Sequence, residues 1–94
     1  MRVPDVHAFY SDEHNTIYLP ADWRAASPAD TSLLVHEAVH PLQSLSGATY
    51  PCPEARERLA YQMQAAWLRL FGRDLITEFG FDPLTLFVRT RCFH

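Results

Sequence analysis

The stretch Leu33–Gln43 reads Leu-Leu-Val-His-Glu-Ala-Val-His-Pro-Leu-Gln and constrains the chain more than any other. Its apolar residues call for a packed segment, yet His36, Glu37 and His40 interrupt it as an H-E-x-x-H run. On a helix, residues four apart share one face, one turn from each other. Two imidazoles so placed can share one metal ion. Glu37, next to the first of them, then reaches a water on that metal.

Ninety-four residues allow one domain with a single modest core. A hydrophobic share of 48 % and a charged share of 20 % are those of a folded chain. The net charge of −3 and the interleaving of Arg56 to Arg91 with acidic and apolar residues leave no basic stripe, so neither nucleic acid nor an anionic membrane is an expected partner. No apolar run approaches the roughly 20 residues of a membrane span. The N-terminus lacks an apolar signal-peptide core, so a cytoplasmic chain is expected unless a leader lies outside this sequence. Cys52 and Cys92 match no zinc-ribbon or redox spacing. With no leader they read as two partly buried free thiols; the alternative is one disulfide closing a long loop in an oxidising compartment.

Along the chain, Asp5–Tyr10 and Thr16–Leu19 read as two strands around the polar turn 11–15, an antiparallel hairpin that must pack on helices. Trp23 is the expected anchor. Ser27-Pro28-Ala29-Asp30 combines an N-cap, a first-turn proline and a capping-box acid, and the helix it starts runs towards Gly47. Pro41 removes a hydrogen bond to the Glu37 carbonyl, so a kink or an end near His40 is expected. A second helix begins at Cys52-Pro53-Glu54 and should run to Phe71, with Leu59, Met63, Ala66, Trp67, Leu70 and Phe71 as core. Its stripe of Glu54, Glu57, Tyr61 and Gln64 either faces solvent or faces the histidines. Asp74–Phe79 and the run after Asp82-Pro83 read as short helices of a C-terminal tail.

A catalytic zinc site needs three protein ligands and an open position. His36 and His40 supply two. Glu57 is the preferred third and Glu54 the next; the positions of His7, His14 and His94 are not set by the sequence. Glu37 is the general base for a metal-bound water. Tyr10, Tyr18, Tyr50 and Tyr61 are all candidates to stabilise an oxyanion, and a peptide could pair with the edge of the Thr16–Leu19 strand.

These residues resemble those of the glutamate-zincin (gluzincin) metallopeptidases, in particular the single-domain minigluzincins. The resemblance rests on the strand Asn15–Leu19, the helix bearing His36-Glu37-Ala38-Val39-His40, and Glu57-Arg58-Leu59-Ala60-Tyr61, and covers Phe9–Trp67. It implies His36, His40 and Glu57 as ligands of one zinc ion, Glu37 as general base, Tyr61 in a supporting position behind a ligand, and a tail able to block the site. The expected fold is a small α+β zincin-like domain, with an N-terminal β-hairpin packed on the H-E-x-x-H helix and a following glutamate helix. The expected activity is hydrolysis of peptide bonds in a peptide or protein substrate. The alternative is a non-catalytic zincin-like scaffold that binds a partner protein, with metal kept for structure or absent.

Overall fold

A computed structural model describes residues 2–3 and 8–92. The elements are β1 (Arg2–Val3), β2 (Phe9–Ser11), β3 (Thr16–Pro20), α1 (Pro28–Ser46), α2 (Pro53–Arg69), α3 (Leu75–Phe79) and α4 (Pro83–Arg89), a small α+β arrangement. β2 and β3 form the antiparallel hairpin, with Phe9 opposite Tyr18 and Ser11 opposite Thr16. Asn15 turns the chain with φ 46°, a conformation asparagine tolerates. The first strand of the hairpin is described from Phe9; residues 5–7 of the strand expected over Asp5–Tyr10 lie outside the described residues. β1 pairs in parallel with the other side of β3, giving the order β1-β3-β2. β3 is therefore central, and the edge expected to receive a peptide is taken. β2, at one edge, packs against α1.

Ser27 caps α1, its Oγ accepting from the Asp30 N–H at 3.1 Å. The Asp30 carboxylate does not return the bond as a capping box would; it accepts from the Arg24 N–H instead, at 2.8 Å. The Trp23 indole donates to the Asp30 carbonyl, which docks the connecting loop. α1 does not end near His40. It continues through Pro41 to Ser46 and stops at Gly47 in the left-handed region. An interior proline costs about 3 kcal/mol, and the helix nevertheless runs on past it. Arg56 of α2 donates to the His40 carbonyl at 3.1 Å, to Ser44 Oγ, and through two bonds to Asp12 of the hairpin turn. One guanidinium thereby joins the hairpin, α1 and α2.

α1 and α2 are the main packing pair. The face α2 turns inward carries Ala60, Gln64 and Leu68. The expected core was largely wrong. Leu59 and Met63 are 43 % exposed, Leu70 76 % and Phe71 50 %. The stripe containing Gln64 occupies the inward face because α1 buries two imidazoles that need polar partners, and a buried polar group without one is costly. Leu59 and Met63 instead line an open apolar groove with Val39 and Leu42. α2 also ends at Arg69, earlier than expected. Leu70–Gly72 then reverse the chain, Gly72 at φ 69° and the Arg73 N–H bonding back to the Leu68 carbonyl.

The tail is helical as expected: Asp74 caps α3, Gly80 ends it, and Asp82 caps α4. The cysteines are not free thiols. Cys52, the residue before α2, is joined to Cys92 beyond α4 by a disulfide across 40 residues. This bond matters because α4 buries none of its own residues. Among the described residues no helix is long and apolar enough to cross a membrane.

Closing a loop of this length removes about 4 kcal/mol of unfolded-state entropy on the chain-entropy model. The double variant Cys52→Ser, Cys92→Ser should therefore lower the urea midpoint measurably, by up to that amount in free energy. Equal midpoints for variant and oxidised wild type would contradict this role.

Candidate metal centre

His36 and His40 project from one face of α1 and are 5 % and 6 % exposed, their ring centroids 5.6 Å apart. Each ring is braced from behind by a glutamine. His36 Nδ1 lies 2.8 Å from Gln64 Oε1, and His40 Nδ1 lies 2.9 Å from Gln43 Oε1. The amide orientations follow from their other ends. Gln43 Nε2 faces the Arg56 carbonyl at 2.9 Å, and a carbonyl only accepts. Gln64 Nε2 faces Ser32 Oγ, whose own proton goes to the Ala29 carbonyl at 2.6 Å. Both glutamines therefore present oxygen to the rings, and both Nδ1 atoms carry a proton.

The two Nε2 atoms are thereby aimed at one place. Glu57 Oε1 is 2.9 Å from His36 Nε2, and Glu57 Oε2 is 3.0 Å from His40 Nε2. Neutral imidazoles protonated at Nδ1 would direct two lone pairs at this carboxylate. The arrangement is balanced only with a cation there, either a proton on a ring or a metal ion. Glu37 stands beside the pair, with its two oxygens each 3.9 Å from one Nε2. His36, Glu37 and His40 form a group that could hold a metal ion.

The carboxylates are tuned in opposite directions. Burial pushes Glu57 up, but the hydrogen bonds to His36 and His40 outweigh it, and its pKa falls to about 2. Burial also pushes Glu37 up, and here it prevails over the pull of the histidines and of the Tyr10 backbone N–H. Burial disfavours the charged form of His40, yet Glu57 and Gln43 raise its pKa.

The site opens into a cleft of about 700 Å³. Phe9 and Tyr10 of β2 form one wall, and Phe79, Phe81 and Arg89 of the tail form another. The tail, outside the segment that carries the resemblance, is thus part of the cleft. Glu57 lines it and Glu54 does not. His14 sits exposed in the hairpin turn; His7 and His94 lie outside the described residues. Of the tyrosines, Tyr18 stacks on Phe9, Tyr50 lies at the apolar groove, and the Tyr10 hydroxyl donates to Asn15 Oδ1. Tyr61 packs edge-on against His36 at 4.5 Å, and its hydroxyl accepts from Arg89. It lies against the ring without bracing it; Gln64 is the brace. Neither glutamine was singled out as a brace from sequence. The available signal was spacing, Gln43 one turn after His40 and Gln64 two turns after Glu57.

Fold and site together define a small α+β domain with a buried His–Glu–His group able to bind a metal. The chain belongs to a family described as a domain of unknown function, DUF6647, whose profile matches residues 2–94. No curated protein matches the chain. No solved structure matches it either.

In the metal-free chain Glu57 titrates below the 4.5 of an ordinary glutamate. Between pH 4.5 and about 2 the unfolded state binds more protons, so Glu57 contributes stability above that window and loses it as the pH falls through it. Urea midpoints of Glu57→Gln should fall less steeply over this range than those of wild type; parallel curves would contradict the pairing. Gln64→Leu should cost about 1–3 kcal/mol by leaving His36 Nδ1 and Ser32 without their partner. It should also weaken metal binding about 10–100-fold, read by competition with a chelator. An affinity equal to wild type would rule out the brace.

Proposed function

We propose that this domain is a zinc-dependent metallopeptidase, with His36, His40 and Glu57 as metal ligands and Glu37 as general base. One observation carries the reading: two imidazoles, each donating its Nδ1–H to the oxygen of a buried glutamine, converge through Nε2 on a carboxylate held at a pKa of about 2. Two nitrogens and one carboxylate oxygen suit zinc and leave a position open. When bound, the ion supplies Lewis-acid polarisation of a carbonyl and acidifies a water.

The chain's own residues supply the rest. Glu37 is adjacent to both imidazoles without being tied to either, and its raised pKa suits a group that takes a proton from the attacking water and passes it to the leaving amine. Tyr61 receives a hydrogen bond from Arg89, which leaves its own proton free to steady the developing oxyanion. β2, an edge strand of the described sheet, borders the cleft and offers an extended peptide a place to lie. The Cys52–Cys92 bond fits an oxidising compartment better than the cytoplasm. The scaffold reading draws on the exposed apolar groove beside Leu59 and Met63, and the same experiment separates the two.

Purified chain should take up one zinc ion, and His36→Ala should lose it. Glu37→Gln should keep the ion while cleavage of a mixed peptide pool falls by about 100-fold or more. No zinc uptake would sink the metal reading. Equal cleavage by wild type and Glu37→Gln would sink the catalytic role.

A further inference from the structure

We propose that Arg89 is the specificity residue of the cleft, anchoring a carboxylate that the substrate carries near its scissile bond. The proposal rests on the peptidase reading and adds a substrate class to it: peptides with an acidic side chain or a free C-terminus close to the cleaved bond.

The charges in the cleft are nearly all committed. Glu37 and Glu57 face the histidines. Arg56 is held by Asp12 at 3.0 Å and by the His40 carbonyl. Arg89 differs. Its Nη1 donates to the neutral Tyr61 hydroxyl at 3.3 Å, and its guanidinium carbon lies 4.9 Å from the centre of the Phe81 ring. Among the described residues no carboxylate lies within ion-pair distance of it. Stacking on one face and a single neutral acceptor leave most of its donors available, and the guanidinium fork matches a carboxylate.

Its position is set by a chain of contacts that reaches the metal ligands. Phe81 packs edge-on against Tyr61 at 5.9 Å, and Tyr61 against His36 at 4.5 Å. Beyond Arg89, Thr90 is buried and Cys92 is bonded to Cys52 at the head of α2. The disulfide thus pins the end of α4, and with it Arg89, to the helix that carries Glu57. The guanidinium stands about one phenol ring beyond His36, within reach of roughly three extended residues. An unmodified peptide offers only one kind of anion there, a carboxylate, from Asp or Glu or from its C-terminus.

The test is a binding measurement that does not need turnover. Three fluorescent hexapeptide pools are titrated into Glu37→Gln protein as purified: neutral with amidated C-termini, neutral with free C-termini, and Glu-containing with amidated C-termini. One of the two acidic pools should bind about tenfold or more tightly than the neutral amidated pool, and which one does identifies the source of the carboxylate. Adding Arg89→Gln should abolish the preference for the acidic pool, while Arg89→Lys should restore part of it. Equal binding of all three pools, or a preference that survives Arg89→Gln, would overturn the proposal. A chain without zinc would overturn the peptidase reading alone, because the pools report on Arg89 in either case.

Discussion

The hydrogen bonds of His36 Nδ1 with Gln64 and of His40 Nδ1 with Gln43 are the constraint on which the other features depend. An imidazole buried beside apolar residues of α1 needs an acceptor or a donor on each nitrogen. Gln43 comes from α1 itself, but supplying Gln64 to His36 Nδ1 and Glu57 to both Nε2 atoms requires α2 to turn its polar stripe inward, and the apolar stripe of Leu59 and Met63 is displaced to the surface as a consequence. Among the described residues no buried side-chain polar atom lacks a partner. The interior of this domain is therefore as much a hydrogen-bonded network as a hydrophobic core, and such a network selects one arrangement of its members.

The periphery is tied to that network by polar and covalent links as well as by apolar burial. Arg56 links the hairpin turn to both long helices. The Trp67 indole donates to Thr31, tying α2 to the start of α1. The tail, with little burial of its own, is secured by the Cys52–Cys92 bond and by aromatic contacts around Tyr61. A domain of 94 residues has limited apolar area to bury, and crosslinks of these kinds compensate. They also bring three chain segments distant in sequence to one cleft: β2, the α1–α2 pair and the tail.

Local chemistry was legible in the sequence where it acts over a few residues. Ser27-Pro28, Asp74, Asp82-Pro83, Gly47 and Gly80 mark helix ends because caps and left-handed glycines are local devices. The proximity of Glu57 to the histidines was legible from spacing and a short connection. What failed required knowledge of a partner. Pro41 reads as a stop because its cost is local, while the packing of α1 on α2 is not. Leu59 and Met63 looked like core because their periodicity is helical, while the choice of inward face belongs to the imidazoles opposite. The cysteine pair, 40 residues apart, has no local signature at all. β3 reads as open to a peptide because the pairing of β1 beside it joins segments distant in sequence.

The central claim is that a metal ion belongs between the two Nε2 atoms and Glu57. X-ray absorption at the zinc edge of the zinc-loaded chain tests it most directly. The predicted spectrum has imidazole scattering from two histidines and nitrogen or oxygen neighbours at about 2.0–2.2 Å, with one histidine shell lost in His40→Ala. A spectrum without imidazole scattering, or one unchanged by His40→Ala, would contradict it.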